Sequence, residues 1–392
     1  MELSILESWV NTNSGSTNLT GLGRMADLLE KELRRLPGRL ERIPLPPVKT
    51  LDGTHHQSGD VLRLRFRPEA PLRVLFSGHM DTVFDPDHPF QKWELLENDK
   101  VRGPGVSDMK GGLFIMIESV RKFLEEDTAG TLGGEILINA DEELGSLGSH
   151  DLLVEAAKWN HLGLVFESCL TGGELVRCRK GTGTFKVTAH GKAAHTGRDF
   201  AEGRNAVAAL SVFLAACHKL NGTIPEAIIN VANCSAPGPV NVVPDRAQGY
   251  LNIRIGHPDS ASEIREALHH LMREAEEQVE GIRMEIAGDF LRLPKTETPA
   301  NAELHALWNE VEERLSLPLS GKRDTGGSSD GNVVQAAGLP HLDGIGIMGG
   351  AIHSDQEYAL LDSIPRQITR TVAFLNALSV APGRFNSPPF AE

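Results

Sequence analysis

Cysteine is scarce: Cys169, Cys178, Cys217 and Cys234 are the only four in 392 residues, and none forms a CxxC pair or stands at zinc-finger spacing. A chain this long builds a core without disulfide staples, so reduced, buried thiols are expected and a secreted disulfide scaffold is excluded. Basic residues are also short, 39 Lys and Arg against 53 Asp and Glu, for a formal net charge of -14. That balance argues against nucleic acid or an anionic membrane surface as the main partner. It leaves an acidic small substrate open, because local arginines override a global charge, and ligating carboxylates themselves inflate the negative count. No stretch approaches the ~20 apolar residues of a membrane span. The opening MELSILESWVNTNSG lacks the basic and long apolar regions of a secretory signal. Internal repeats and low-complexity linkers are missing too. A soluble, cytoplasmic protein is the expectation.

What is present is an ordinary globular balance, 40% hydrophobic and 23% charged, in a chain long enough for two domains. Met25, Leu28, Leu29, Leu33 and Leu36 recur at helical spacing within residues 22–36. Apolar runs at Leu72–Phe76, Glu135–Asn139 and Leu162–Phe166 read as buried strands, with helical patterns over Gly112–Leu124 and Leu147–Ala157. Alternating strands and helices predict an α/β layered domain whose functional residues gather at strand C-termini. From about residue 180 the order becomes strand (Thr184–His190), helix (Asn205–Leu220), strand (Ala227–Ala232), strand (Arg246–Ile255), helix (Ile264 to Val279) and strand (Arg283–Ala287). This βαββαβ order is the ferredoxin-like split unit, and it carries no cluster of acidic ligands. The α/β pattern then resumes with a helix over Ala302–Leu315, a strand over Gly344–Met348 and a closing helix over Ile364–Leu378. The expected domains are residues 1–179 and 294–392 for a discontinuous catalytic domain, and 180–293 for an inserted lid or dimerisation domain.

Chemistry-bearing residues fall at the ends of these runs. His79 and Asp81, two apart at a strand end, share a face, and a carboxylate commonly holds the second ring nitrogen of a ligating histidine. Asp108 lies in a glycine-rich loop opening a helix, where glycines allow the turns that aim a short carboxylate inward. Glu142 and Glu143 are adjacent and project differently, so one can bind metal while the other faces substrate. Glu167 ends the third strand, and His353 lies in GGAIHSD. Singly, each has a structural explanation: a satisfied pair, a helix cap or a solvated acidic loop. Together, at the ends of separate strands and loops, they compose a histidine and carboxylate set suited to zinc, with cobalt or manganese as substitutes.

With these residues in place, the chain resembles the co-catalytic di-zinc metallopeptidases, a family that includes glutamate carboxypeptidase, aminoacylase, acetylornithine deacetylase and succinyl-diaminopimelate desuccinylase. The resemblance runs through GHMDTV (78–83), RGPGVSDMKGG (102–112), DEELGSLGS (141–149), GKAAHTG (191–197), NVVPD (241–245), GGSSDGN (326–332) and IHSDQEY (352–358). It implies a zinc-exopeptidase-like layered catalytic domain with a mixed sheet, plus the inserted ferredoxin-like lid, paired into a homodimer. By position, it implies that Asp108 bridges two divalent cations. His79 and Glu167 then complete one metal site, and Glu143 and His353 the other. Glu142 is implied as general base, Asp81 as the carboxylate orienting His79, and His195 as a lid residue reaching the partner subunit's active site.

Arg254, Asn241 and Arg292 resemble residues that hold a substrate carboxylate, a task suited to the planar guanidinium fork. Glu167, where aminopeptidase members tend to carry Asp, and the tail around Ser363-Ile364-Pro365-Arg366 are most similar to glutamate carboxypeptidase. The expected activity is cleavage of an amide to release an amino acid, from a small peptide or N-acyl amino acid. An N-acyl-amino-acid deacylase is the alternative, and a non-catalytic metal-binding relative the remote one.

Overall fold

A computed structural model describes residues 2–127 and 129–385. The chain opens with α1 (Leu3–Val10) and α2 (Leu19–Leu33), the latter capped by the Asn18 side chain accepting from Gly21 N. Strands β1 (Arg39–Ile43), β2 (Val61–Phe66) and β3 (Leu72–His79) follow, then α3 (Gly111–Glu126), β4 (Leu132–Asn139), α4 (His150–Trp159) and β5 (Leu162–Val165). Next come β6 (Gly181–His190), α5 (Ala206–Lys219), β7 (Ile228–Ser235), β8 (Arg246–Ile255), α6 (Ser260–Gln278) and β9 (Arg283–Arg292). The chain closes through α7 (Pro299–Arg314), α8 (Asp330–Ala336), β10 (His341–Asp343) and α9 (Ser363–Val380).

The central sheet runs β1-β2-β4-β3-β5-β10. It is mixed: β3, β4, β5 and β10 pair in parallel, whereas β2 pairs antiparallel with both β1 and β4. Period-two alternation assigns the two faces. Leu62, Leu64, Val74, Phe76, Ile136 and Ile138 join the larger core with residues of α1, α2, α3, α7 and α9. Val61, Leu75 and Leu137 point the other way, into a smaller core with α4 and α8. A sheet covered on both faces buries its central strands almost throughout, and β3 and β4 are so buried.

Residues 181–292 build a second, wholly antiparallel sheet in the order β7-β8-β6-β9, with α5 and α6 on one face and a core of their own that includes Phe185, Val187, Phe213, Leu251, Ile253 and Leu268. Helices and strands follow the βαββαβ succession expected. Among the described residues no helix is long and apolar enough to cross a membrane.

Two expectations are corrected. Gly344–Met348 is not a strand; the strand lies just before it, at His341–Asp343. Gly344 turns with φ +76, and Ile345 and Ile347 are apolar because they are buried in an irregular segment beside Glu167 and Cys169. The four thiols are free, as expected, but only Cys169 and Cys217 are buried. Cys178 is half-buried, and Cys234 is exposed near the end of edge strand β7.

Candidate metal centre and active site

His79 is the last residue of β3, and Glu167 follows β5 by two, so neighbouring parallel strands deliver both to one sheet edge. Asp108 hangs from the loop between Gly105 (φ +71) and α3. Glu142 and Glu143 sit in a single helical turn after β4, and His353 in a tight turn after Gly350. The side chains converge. Asp108 Oδ1 lies 3.2 Å from His79 Nε2, and Asp108 Oδ2 lies 3.2 Å from His353 Nε2. Glu143 Oε2 is 3.2 Å from the same His353 nitrogen, and Glu167 Oε1 is 3.8 Å from His79 Nε2. One carboxylate therefore touches two otherwise separate pairs, His79 with Glu167 and His353 with Glu143.

Asp81 does something the sequence did not indicate. The nearer partner of His79 Nδ1 is the Asp81 backbone carbonyl at 3.0 Å, with the carboxylate Oδ1 at 3.4 Å. The buried carboxylate accepts from the backbone amides of Glu142 and Glu143, both at 3.1 Å, and from Ser16 Oγ at 2.8 Å. It anchors the turn that carries both glutamates. Glu357 plays a matching part for Asp108 and was missed. Its buried carboxylate accepts from the amides of Gly105, Ser107 and Asp108 at 3.0, 2.8 and 3.0 Å. An acidic residue four places after His353 was the available signal, hidden beside Asp355 in IHSDQEY.

Electrostatics mark the cluster as a cation site. Burial pushes the Glu167 carboxyl up to about 7, with repulsion from Asp108 adding to it. Burial likewise raises Glu143, and raises Glu142 well above the usual range against the pull of Arg292 and His79. His353 is held up to about 10 by its contacts with Asp108 and Glu143. Burial alone would raise Asp108, but the two imidazoles outweigh it and hold that carboxyl low. Two buried oxygens, Glu142 Oε1 and Glu143 Oε1, accept no hydrogen bond among the described residues. Buried carboxylates this close need positive charge. Ligand atoms of His79, Asp108 and Glu143 lie within 4.8 Å of one another. Two imidazoles and three carboxylates form a donor set that fits a divalent metal such as zinc.

A cavity of about 250 Å³ opens on this cluster, lined by Asp108, Glu142, Glu143, Glu167 and His353 and also by Arg179, Arg254 and Arg292. Arg292 is engaged: Nη2 donates to the Glu142 carbonyl, Ser146 Oγ and Asp330 Oδ1 and lies 2.9 Å from Glu142 Oε1. Arg179 makes two 2.7 Å bonds to Asp343. Arg254, on the face of β8 opposite the Ile253 and Ile255 side chains, donates only to Ser328 Oγ at 3.3 Å and has no acidic partner among the described residues. His195 and Asn241 do not line the cavity. They are neighbours on the second sheet's outer loops, where the Asn241 carbonyl accepts from Thr196 N and Oγ1, and both are exposed.

Comparison with known proteins agrees with this geometry. The chain is 25% identical over 379 residues to carboxypeptidase G2 of Pseudomonas sp. (strain RS-16), covering 93% of this chain and 86% of that protein. It is 25% identical over 334 residues to a succinyl-diaminopimelate desuccinylase of Nitrosospira multiformis, covering 78% and 84%. An M20 family metallo-carboxypeptidase from Sulfolobus solfataricus superposes with a TM-score of 0.74 at 17% identity, over 97% of this chain and 99% of that one. The sequence profile described as peptidase family M20/M25/M40 matches residues 75–377, a span that holds every converging side chain just described. A histidine and carboxylate cluster that could hold metal and a family match across most of the sequence lead to one conclusion: the chain belongs to peptidase family M20/M25/M40 and is a metallopeptidase.

Proposed function

We propose that this metallopeptidase releases an amino acid bearing a free carboxylate, as a di-zinc exopeptidase of the glutamate carboxypeptidase kind. One observation carries the reading. Arg254 is a half-buried cation without an acidic partner among the described residues, lining the cavity that holds Glu142 and the candidate metal-binding cluster. A guanidinium left uncompensated there is suited to a substrate carboxylate.

His79 and Glu167 would hold one cation, Glu143 and His353 the other, with Asp108 shared between them. Two such ions supply a water acidified towards neutral pH and a Lewis acid for the scissile carbonyl. Glu142, beside the cluster but outside the ligand set, takes the proton of the attacking water at Oε and passes it to the leaving nitrogen. Asp81 keeps Glu142 and Glu143 in register through their amides. Arg254 orients the substrate by its carboxylate. His195, exposed and not lining its own cavity, is read as reaching the active site of a second subunit. There it donates to the developing oxyanion when the inserted sheet closes as a lid. Asn241 accompanies it, and a homodimer through the inserted sheet follows from this reading.

The test compares a C-terminal amino acid released from a peptide or acyl substrate with release from its α-amide, using zinc-loaded wild type and Arg254→Gln. The free acid should be strongly preferred, and Arg254→Gln should lose about 10- to 100-fold in kcat/KM on it alone, the worth of one charge-assisted contact. Equal cleavage of acid and amide by the wild type overturns carboxylate recognition. The similarity to a desuccinylase favours N-acyl deacylation as the second reading; N-succinyl or N-acetyl substrates outrunning peptides in the same panel would establish it.

A further inference from the structure

Behind Glu142 lies a buried polar chain that this chemistry leaves unused. Asp330, the first residue of α8, is buried, and its Oδ2 accepts from Asn139 Nδ2 at 2.8 Å. Its Oδ1 accepts from the Ser146 hydroxyl and, at 3.2 Å, from Arg292 Nη2. That nitrogen also donates to the Glu142 carbonyl at 3.0 Å and to Ser146 Oγ at 2.8 Å, and it stands 2.9 Å from Glu142 Oε1. Arg292 is the last residue of β9, so the inserted sheet supplies the guanidinium, while Asp330, Asn139 and Ser146 come from the segments around the central sheet.

We propose that Asp330 is a positioning residue for the reaction: it shares Arg292 with Glu142, so that the guanidinium braces the Glu142 turn and stands beside the Glu142 carboxylate without an aligned hydrogen bond to it. A buried guanidinium needs a counter-charge. Asp330 supplies one that cannot move, because Asn139 and Ser146 fix both of its oxygens. Glu142 Oε1, although 2.9 Å from Nη2, accepts no aligned hydrogen bond from it, and Glu142 still lines the cavity. Glu142 Oε1 is already close, 2.9 Å from Nη2 against 3.2 Å for Asp330 Oδ1. With Asp330 uncharged, the guanidinium loses its second counter-charge and turns fully onto Glu142 in an aligned hydrogen bond. The tether also ties the inserted sheet to the base, since its two ends lie on different sheets' segments. The inference rests on Glu142 being the base.

The test uses the full-length, zinc-loaded chain with Asp330→Asn, Arg292→Gln and the double variant, each normalised to bound metal. Asp330→Asn should lower kcat about tenfold or more with little change in KM, because Arg254 still holds the substrate. Its effect should vanish in the Arg292→Gln background, since a residue acting through Arg292 has nothing left to position. Losses that multiply in the double variant, or a kcat near wild type in Asp330→Asn, overturn the proposal. A crystal structure of Asp330→Asn gives a readout independent of activity: Arg292 should make an aligned hydrogen bond to the Glu142 carboxylate in place of its contact with residue 330, and an unmoved guanidinium overturns the proposal. Should Asp330→Asn fail to fold, Ser146→Ala, which removes the hydroxyl both groups share, is read the same way. A wild type without hydrolytic activity sinks the proposed function, and the crystallographic result then decides the tether alone.

Discussion

His353 sits 3.2 Å from both Asp108 Oδ2 and Glu143 Oε2, and these contacts hold its imidazole up to about 10. In the metal-free protein at neutral pH it is therefore protonated, whereas a metal ligand must be neutral. Loading zinc at pH 7 should expel that proton, and apparent affinity should rise with pH, by up to about tenfold per unit for this group, until its window closes near 10. Calorimetry in buffers of different ionisation enthalpy measures the release; none at pH 7 would show that His353 is not displaced by the metal. The same raised value has a sign for stability. The contact helps the metal-free fold fully below the ordinary 6.5 of histidine and is lost as pH rises through about 10. The side chain is half-exposed, so solvent screens this contribution. At this scale the sequence was informative about which residues take part and less so about how. The Asp81 carboxylate was legible as a neighbour of His79, but its grip on the Glu142 and Glu143 amides spans 61 and 62 residues of chain. Arg292 was legible as a cavity cation; its engagement by Glu142 and Asp330 was not, because both partners arrive from other elements.

Elements are held to the site by close backbone approach. A Cβ on Gly112, at the start of α3, would lie 2.0 Å from the Phe166 carbonyl oxygen. Helix α3 carries the Asp108 loop, and Phe166 precedes Glu167, so this contact sets the separation of two of the converging carboxylates. Gly112→Ala should therefore cost about 1–3 kcal/mol or more by overpacking and reduce bound zinc as well. Urea unfolding together with metal analysis of the purified variant checks both, and a variant normal in both would show that the helix can shift without consequence. Element boundaries show where pattern reading stops. The apolar run of β3 ends at Phe76, yet pairing with β4 continues through Ser77, Gly78 and His79, because hydrogen bonding along a sheet is indifferent to side-chain polarity. The strand expected at Gly344–Met348 misread buried isoleucines as a strand, since burial alone does not distinguish strand from irregular core segment.

For the molecule as a whole, the question is how His195 joins a cavity it does not line. If a partner subunit supplies it, His195→Ala and Glu142→Gln should each abolish most activity, yet complement one another in mixed dimers. One of the two sites in each heterodimer then has both an intact base and an intact histidine. Equal mixing with full exchange should restore about a quarter of wild-type activity. No recovery, with heterodimers present by sedimentation and mass measurement, would remove His195 from a role in trans. Glu142→Gln alone should keep its metal, because Glu142 stands outside the cluster of ligand donors.

By itself the sequence determined what depends on local pattern. Period-two and helical spacing placed the strands and helices and marked the interruption of one α/β unit by a βαββαβ insert; His79, Asp108, Glu143, Glu167 and His353 could be picked out because strand ends and glycine loops are written locally. Only the tertiary structure decided which carboxylate meets which histidine, that Glu357 and Asp81 hold the loops of the candidate ligands, that among the described residues Arg254 lines the cavity without an acidic partner while Arg292 is tethered, and that His195 and Asn241 do not line the cavity. The reason is physical: those relations join segments up to about 250 residues apart. They arise from the packing of elements against one another, which no local spacing in the chain encodes.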